Sequence, residues 1–198
     1  MKKGSLEVIC GSMFSGKTEE LMRRLRRAEY AKQNALTIKH QIDKRKSTKC
    51  IVSHNNQKRE AFPFDGSQEC INHIIALANE SSVSIVAFDE IQFFPKEIME
   101  VVFSLINLGK RVITTGLDLD FRGEPFGIMP TLMAVADHVL KLKAICVKCG
   151  RDAHHSQRII NGEPAKYNDP IIMVGAEECY EARCRNCFEI DQNAQIKI

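Results

Sequence analysis

Residues 6–18 contain the feature that most restricts how this 198-residue chain can fold. An apolar run at 6–10 leads directly into GSMFSGKT, residues 11–18, which fits the pattern G-x-x-x-x-G-K-[ST]. This pattern is typical of a turn from a β-strand into an α-helix, whose backbone N–H groups and positive helix end surround phosphate groups. Glycines permit the turn, Lys17 brings positive charge to the outer phosphates, and the Thr18 hydroxyl can ligate Mg²⁺. The sequence therefore predicts a nucleoside triphosphate site. The alternative is a glycine-rich turn that binds no ligand.

Strands and helices are predicted to alternate over the first two thirds of the chain. Apolar runs predict strands at residues 6–10, 35–39, 83–88, 111–116 and 138–144, and a short edge strand at 51–54. Apolar residues at helical spacing predict helices at residues 19–33, 68–79 and 95–108. Such alternation is typical of a parallel sheet with helices on its faces, so we predict an α/β fold of the P-loop NTPase-like type.

The composition changes near Ile145, where cysteines, glycines and loop-like stretches replace the alternating pattern. We therefore predict a nucleotide-binding α/β domain at residues 1–144, a small zinc-binding subdomain at 145–188 and a C-terminal tail at 189–198. A net charge of +3 does not by itself require a nucleic-acid partner. The N-terminal residues lack the features of a signal peptide, and no apolar run approaches the length of a membrane span. We expect a cytoplasmic protein without a membrane partner.

Eight cysteines in a cytoplasmic protein indicate thiols or metal ligands rather than disulfides. Two C-x-x-C pairs can surround Zn²⁺ with four thiolates, which leaves no coordination position open and indicates a structural, ribbon-like site. The insert between the pairs is longer than is usual and is expected to form its own hairpin or loop. Redox-active thiols and unrelated surface cysteines are the alternatives, and the neighbouring His154 and His155 are not expected to be ligands. The predicted zinc ligands are Cys146, Cys149, Cys184 and Cys187.

Two acidic residues, Asp89 and Glu90, follow the buried strand predicted at 83–88. In a protein with a phosphate loop, an acid at the end of a strand helps to hold Mg²⁺, usually through water, and Asp89 fits this function. Glu90 can polarise a water molecule in an ATPase or accept the proton of a substrate hydroxyl in a small-molecule kinase. The alternative is a strand-end acid that only caps the following helix.

Several motifs occur in an order that resembles the zinc-containing thymidine kinases of bacteria and of animal cytosol. They are the phosphate loop, ELMRR at 20–24, FDEIQFF at 88–94, GLDLDFRGEPFG at 116–127 and the two cysteine pairs. The resemblance extends from about Gly4 to Phe188. It implies transfer of the γ-phosphoryl group of ATP to the 5′-hydroxyl of thymidine, giving thymidine monophosphate for nucleotide salvage. It also implies Mg²⁺ and structural Zn²⁺, a homotetramer, and feedback inhibition by thymidine triphosphate (dTTP).

The resemblance further implies functions for individual residues, with Glu90 corresponding to the general base. Candidate contacts to ATP and Mg²⁺ are Gly11, Ser12, Met13, Phe14, Ser15, Gly16, Lys17, Thr18, Asp89 and Gln92. The side chains that line the thymine pocket correspond to Met13, Phe93, Leu117, Phe121 and Phe126. A nucleoside-binding segment between the cysteine pairs, termed here the lasso loop (residues 171–180), contributes Ile171, Met173, Val174, Gly175 and Tyr180.

The residue types agree with these functions without the resemblance. Aromatic side chains suit the flat, apolar faces of a nucleobase, although core packing is the alternative for each of them taken alone. Zinc would hold both ends of the lasso loop, which has little core of its own. Ile91 stands where the family often has a small residue, and we expect its side chain to point into the core. Asp43 and Arg45 match a family acid and arginine only loosely.

Two other classes of protein share some of these features. A nucleic-acid-dependent ATPase would use a basic first helix, although a solvated helix face or a subunit contact is the simpler interpretation of Arg23, Arg24, Arg26, Arg27 and Lys32. A redox-sensing zinc protein with an inactive nucleotide fold would use the thiols. The complete set of Lys17, Thr18, Asp89 and Glu90 argues against an inactive site. We therefore predict a kinase without a nucleic-acid partner.

Overall fold

The computed structural model describes residues 3–42, 50–52, 58–80, 82–172 and 179–190. In chain order its first eight strands are β1 (Ser5–Gly11), β2 (Asn34–His40), β3 (Cys50–Val52), β4 (Lys58–Glu60), β5 (Phe62–Phe64), β6 (Val83–Asp89), β7 (Arg111–Gly116) and β8 (His138–Leu142). Six of them form one parallel sheet in the order β5-β2-β6-β7-β1-β8. Strands β3 and β4 form a separate antiparallel hairpin.

Helices cover both faces of the parallel sheet. They are α1 (Lys17–Tyr30), α2 (Gln68–Asn79), α3 (Ile98–Asn107) and α4 (Met129–Val135), with a short 3₁₀ helix at Ile91–Phe93. Side chains alternate along β1, so that Val8 packs with α2, α3 and α4 whereas Ile9 packs with α1 on the opposite face. The result is a three-layer α/β sandwich, which confirms the predicted fold class.

Most of the predicted elements are confirmed, with shifts at their ends. Helix α2 and strand β7 have the predicted bounds, and α2 begins where Ser67 Oγ accepts a hydrogen bond from the N–H of Cys70 at 3.1 Å. Helix α3 begins later than predicted, at Ile98, because residues 95–97 form turns, and β8 ends earlier, at Leu142. The short strand predicted at 51–54 corresponds to β3, which pairs with β4, and residues 53 and 54 lie outside the described residues.

Two of the elements that the sequence patterns did not predict, β5 and α4, are short. Strand β5 has three residues, of which Pro63 is the second, and it lies at the edge of the sheet, where a missing N–H leaves no strand unpaired. Helix α4 has seven residues with a proline in its first turn. Neither offers enough turns or alternations for a periodic signal.

Residues 144–172 and 179–190 form a small C-terminal unit of short antiparallel strands. They are β9 (Ala144–Ile145), β10 (Asp152–Ala153), β11 (His155–Ile160), β12 (Glu163–Pro164) and β13 (Cys179–Arg183). Strands β9 and β10 pair with each other, and the remaining three form a sheet in the order β12-β11-β13. The hairpin β11–β12 confirms that the insert between the cysteine pairs has structure of its own. Of the helices in the described ranges, none is long and apolar enough to span a membrane.

Candidate active site

The phosphate loop connects β1 to α1 as predicted. Gly16 precedes the helix in the left-handed conformation, with φ 85°, and Phe14 also has a positive φ, 64°. Lys17 is buried, and its Nζ donates to the Ser12 carbonyl oxygen at 2.8 Å, so that its positive charge lies against the loop. At Gly11 a Cβ atom would lie 2.3 Å from the carbonyl oxygen of Leu142, which explains why this position requires glycine. The loop has a conformation that suits the binding of phosphate groups.

The loop is also attached to the C-terminal unit. The backbone N–H of Met13 donates to Ser156 Oγ on β11 at 2.9 Å, and Ser12 Oγ donates to the Ala153 carbonyl oxygen on β10 at 3.4 Å. Ser156 is 2% exposed, so this contact is shielded from water. The two units therefore meet at the predicted phosphate site.

Asp89 lies at the carboxyl end of β6, on the edge of the sheet that also carries the phosphate loop. Strand β7 stands between β6 and β1, and its Thr115 hydroxyl donates to Asp89 Oδ1. Asp89 is 4% exposed. A buried carboxylate at this edge of the sheet has the chemistry that a Mg²⁺ ion requires.

Glu90 follows Asp89 with a left-handed backbone, φ 54° and ψ 45°, a conformation that costs a non-glycine residue about 1–2 kcal/mol. Gln92 Nε2 donates to Glu90 Oε2 at 2.6 Å, and Gln92 Oε1 accepts from the N–H of Leu117 at 3.1 Å. The turn is held in a specific geometry, as is typical of residues at functional sites. Ile91 is fully buried in the core, which confirms its predicted direction.

The predicted pocket side chains do not all lie in the same kind of environment. Phe93 and Phe126 contact each other edge to face, with ring centroids 5.6 Å apart, and both remain partly exposed. Leu117 is also partly exposed. Phe121 is only 5% exposed, and the guanidinium of Arg158 covers its ring at 4.0 Å. Phe121 is therefore buried, whereas Phe93 and Phe126 are partly exposed.

The two ends of the lasso loop are described, and both contact Arg158. Its guanidinium donates to the carbonyl oxygens of Pro170 and Ile171 and to the hydroxyl of Tyr180. Met173, Val174 and Gly175 lie outside the described residues, as do Asp43 and Arg45. Their predicted functions stay predictions.

The four predicted zinc ligands lie together. The sulfur atoms of Cys146, Cys149, Cys184 and Cys187 are all within 4.8 Å of one another. Sulfur atoms in a tetrahedral zinc site, with Zn–S distances of about 2.3 Å, are separated by about 3.8 Å, so the cluster fits this metal. Arg151 Nε lies 3.4 Å from Cys149 Sγ and, chiefly through this hydrogen bond, lowers the pKa of Cys149 to about 6. The cluster contains neither His154 nor His155. Burial lowers the pKa of His155 to about 4, and its ring stacks on Phe188.

Sequence reasoning missed three residues of the site, namely Thr115, Ser156 and Arg158. Ser156 and Arg158 alternate on β11 and face the same side, but the flanking residues of this strand are polar as well. The alternation of Ser156 and Arg158 therefore could not be recognised in the sequence, because the residues between and before them are polar too. Thr115 is one of two adjacent threonines in an apolar strand, where β-branched residues are common for reasons of propensity.

The basic residues of α1 are engaged, at least in part, within the chain. Arg24 Nη1 donates to Glu7 at 2.5 Å, and Arg24 Nε and Arg23 Nε both donate to Glu20. The solvated helix face that the sequence suggested is found for Arg23, which is 58% exposed, whereas the Arg24 side chain is largely buried against Glu7 and Glu20. These two arginines offer less charge to a nucleic acid than their number implies.

One comparison with known proteins bears on the whole arrangement. The family model described as "Thymidine kinase" matches residues 4–188. The match includes the phosphate loop, both acids, the predicted pocket residues and all four clustered cysteines.

Proposed function

Because the chain belongs to the thymidine kinase family and is an enzyme that phosphorylates thymidine, we propose that it transfers the γ-phosphoryl group of ATP to the 5′-hydroxyl and releases thymidine monophosphate. The observation that carries the proposal is the position of the phosphate loop and of the Asp89–Glu90 pair at one edge of the parallel sheet. An ATPase or a redox sensor would leave the aromatic pair beside Glu90 unexplained.

The phosphate loop supplies the donor site in this proposal. Backbone N–H groups of residues 11–18 bind the phosphates, and Lys17 neutralises charge on the outer ones. Thr18 and Asp89 would hold Mg²⁺, which would stabilise the negative charge that develops during phosphoryl transfer. Thr115 keeps the Asp89 carboxylate oriented through its hydrogen bond.

Glu90 acts as the general base in this proposal. Its carboxylate accepts the proton of the 5′-hydroxyl while the phosphoryl group transfers. The Gln92 side-chain amide hydrogen-bonds both the Glu90 carboxylate and the Leu117 N–H. We therefore propose that Gln92 orients the general base in addition to its predicted contact with ATP. The rings of Phe93 and Phe126 would pack against the thymine ring, and the lasso loop would complete the pocket.

The remaining expectations are part of the same proposal. Zinc bound by the four clustered cysteines holds the C-terminal unit together, and the boundary between the two domains lies near residue 144. We further propose a homotetramer in the cytoplasm that is inhibited by dTTP. Exposed residues of α1, such as Arg27, would contribute to a subunit contact.

The direct test is a product assay of the zinc-loaded protein with ATP, Mg²⁺ and a panel of nucleosides. Thymidine is expected to give thymidine monophosphate. In the Glu90→Gln variant kcat should fall by about 10²–10⁴, the usual loss on removal of a general base. A near-normal kcat would exclude Glu90 as the base, and failure of the wild-type protein to modify any pyrimidine deoxynucleoside would exclude the proposed function.

Glu97→Gln is the matched control. Glu97 is exposed at the start of α3 and makes no side-chain cap, so the same loss of charge should leave kcat within about twofold. A large loss of activity in both variants would show that charge at this end of the sheet, rather than proton transfer at Glu90, is responsible.

A further inference from the structure

Arg158 is among the largest completely buried side chains of the described residues. It lies on β11, and its guanidinium makes three hydrogen bonds: Nε donates to Tyr180 Oη at 2.8 Å, Nη1 to the Pro170 carbonyl oxygen at 2.6 Å, and Nη2 to the Ile171 carbonyl oxygen. The flat face of the same guanidinium lies 4.0 Å from the centroid of the Phe121 ring. The Arg158 side chain thus contacts three separate parts of the chain, namely Phe121, residues 170–171 and Tyr180.

The electrostatics of this contact are unusual. Within the described part of the chain, no carboxylate forms an ion pair with Arg158, and its partners are carbonyl dipoles, a hydroxyl and the π-face of a ring. A buried cation without an opposite charge costs free energy, and a well-packed apolar side chain in such a position is often at least as stable. What the described residues give this guanidinium is a set of directed hydrogen bonds and a ring contact, which together fix the positions of its partners.

The groups that Arg158 contacts belong to two segments of the predicted nucleoside pocket. Phe121 lies in the segment 117–127, and Pro170, Ile171 and Tyr180 lie at the two ends of the lasso loop. Neighbouring contacts join the segment 117–127 to residues just before the lasso loop: Arg122 Nη2 donates to the Asp169 carbonyl oxygen at 2.9 Å, and the Tyr167 hydroxyl donates to Glu124. Arg158 occupies the buried centre of this junction.

We propose that Arg158 is a positioning residue for thymidine binding, which fixes Phe121 and both ends of the lasso loop in one geometry. Its rigid fork of N–H donors can reach two carbonyl oxygens and a hydroxyl while its face stacks on the ring, which neither lysine nor methionine can do. This inference rests on the proposed function, because it takes the nucleoside to lie beside these segments. Arg158 itself has no surface on which it could touch the substrate.

The test is the Arg158→Met variant, assayed with thymidine and ATP after zinc loading. The folded variant should keep its zinc and its circular dichroism, while the KM for thymidine rises about tenfold or more, as expected for the loss of one charge-assisted hydrogen bond. The KM for ATP should stay within about twofold, since the donor site lies on the other unit. A thymidine KM within about twofold of the wild-type value, or an equal rise in the KM for ATP, would overturn the proposal.

A double-mutant cycle with Tyr180→Phe separates positioning from direct contact. The Tyr180→Phe variant loses only the hydroxyl that Arg158 Nε binds, so its thymidine KM should rise by about two- to tenfold. Because both changes break the same contact, the double variant should be no worse than Arg158→Met alone. Full additivity would overturn the proposal. If Arg158→Met does not fold, an unchanged thymidine KM in the Tyr180→Phe variant would overturn the proposal.

Arg183→Met is the matched control in the neighbouring strand. Arg183 is also buried, but it pairs with Glu181 and donates to the Cys187 carbonyl oxygen, on the zinc side of the unit. With saturating zinc, its thymidine KM should change by less than about twofold. An equal rise in this control would attribute the Arg158 effect to general loosening of the unit. Failure of the wild-type protein to phosphorylate thymidine, in contrast, would reject the proposed function and not this inference alone.

Discussion

The parallel sheet and the C-terminal unit are stabilised in different ways. Two clusters of large aliphatic and aromatic side chains cover the two faces of the sheet, whereas the buried cluster of the C-terminal unit consists of Ala144, Cys146, Ala153, Ala182 and Cys184. Burial free energy grows with apolar area, at about 25 cal/mol per Å², so alanines and cysteines contribute little. We therefore expect the first unit to be held by its core and the second to depend on a metal at its four clustered cysteines.

This difference matters because the less stable unit carries part of the site. Ser156 binds the backbone of the phosphate loop, and Arg158 binds Phe121 and the ends of the lasso loop. Order in the C-terminal unit is therefore a condition for the geometry of the site. In the proposed function, zinc would therefore affect thymidine binding without touching the nucleoside.

Removal of zinc should produce the largest effect, because metal binding supplies on the order of 10 kcal/mol to such a unit. Chelation or Cys146→Ala is expected to abolish thymidine binding while the circular dichroism of the parallel sheet persists. Cys179→Ser is the control, since Cys179 is exposed on β13 and lies outside the metal cluster. Less than about half an equivalent of zinc in protein purified without chelator would contradict the assignment.

Truncation of a side chain in the core of the sheet should have a smaller effect, which lowers the stability of the fold and leaves zinc binding unchanged. Leu25 is fully buried on α1, and Leu25→Ala is expected to lower the free energy of unfolding by about 2–5 kcal/mol without changing zinc content. Leu108→Ala, at a position 53% exposed, should stay within about 0.5 kcal/mol. Urea unfolding with parallel zinc analysis measures both. Loss of zinc from Leu25→Ala would show that the two units are not independently stabilised.

The smallest effect is expected from the ion pairs of Glu7, and it depends on pH. Burial raises the pKa of Glu7, but the hydrogen bonds and charges of Arg111 and Arg24 outweigh it and leave the pKa below its ordinary value of 4.5. At neutral pH Glu7→Gln should lower the free energy of unfolding by about 1–3 kcal/mol. As the pH falls below 4.5, the unfolded carboxyl binds a proton before the folded one does. The difference between wild type and variant should therefore shrink.

Glu100→Gln, at an exposed position on α3, is the control for that measurement. Denaturant unfolding from pH 7 to pH 3 gives the comparison. A constant difference across this range would mean that Glu7 contributes through packing and not through its charge.

Elements with many residues were predictable, and elements with few were not. Helix α2 and strand β7 were found at their observed bounds because each presents a full apolar pattern. Strand β5 and helix α4 were missed because three or seven residues do not complete such a pattern. Helix α3 begins three residues later than predicted because turns at residues 95–97 precede it.

The site divides along the same line. The sequence by itself determined the phosphate loop and the metal cluster, because their chemistry depends on residues a few positions apart. Only the tertiary structure decided that Gln92 links the Glu90 carboxylate to the Leu117 N–H, and that Arg158 joins Phe121 to residues 170, 171 and 180. Such contacts depend on how sheets and loops pack. The partners lie far apart in the sequence, and no repeating pattern of residues between them indicates which side chains will meet.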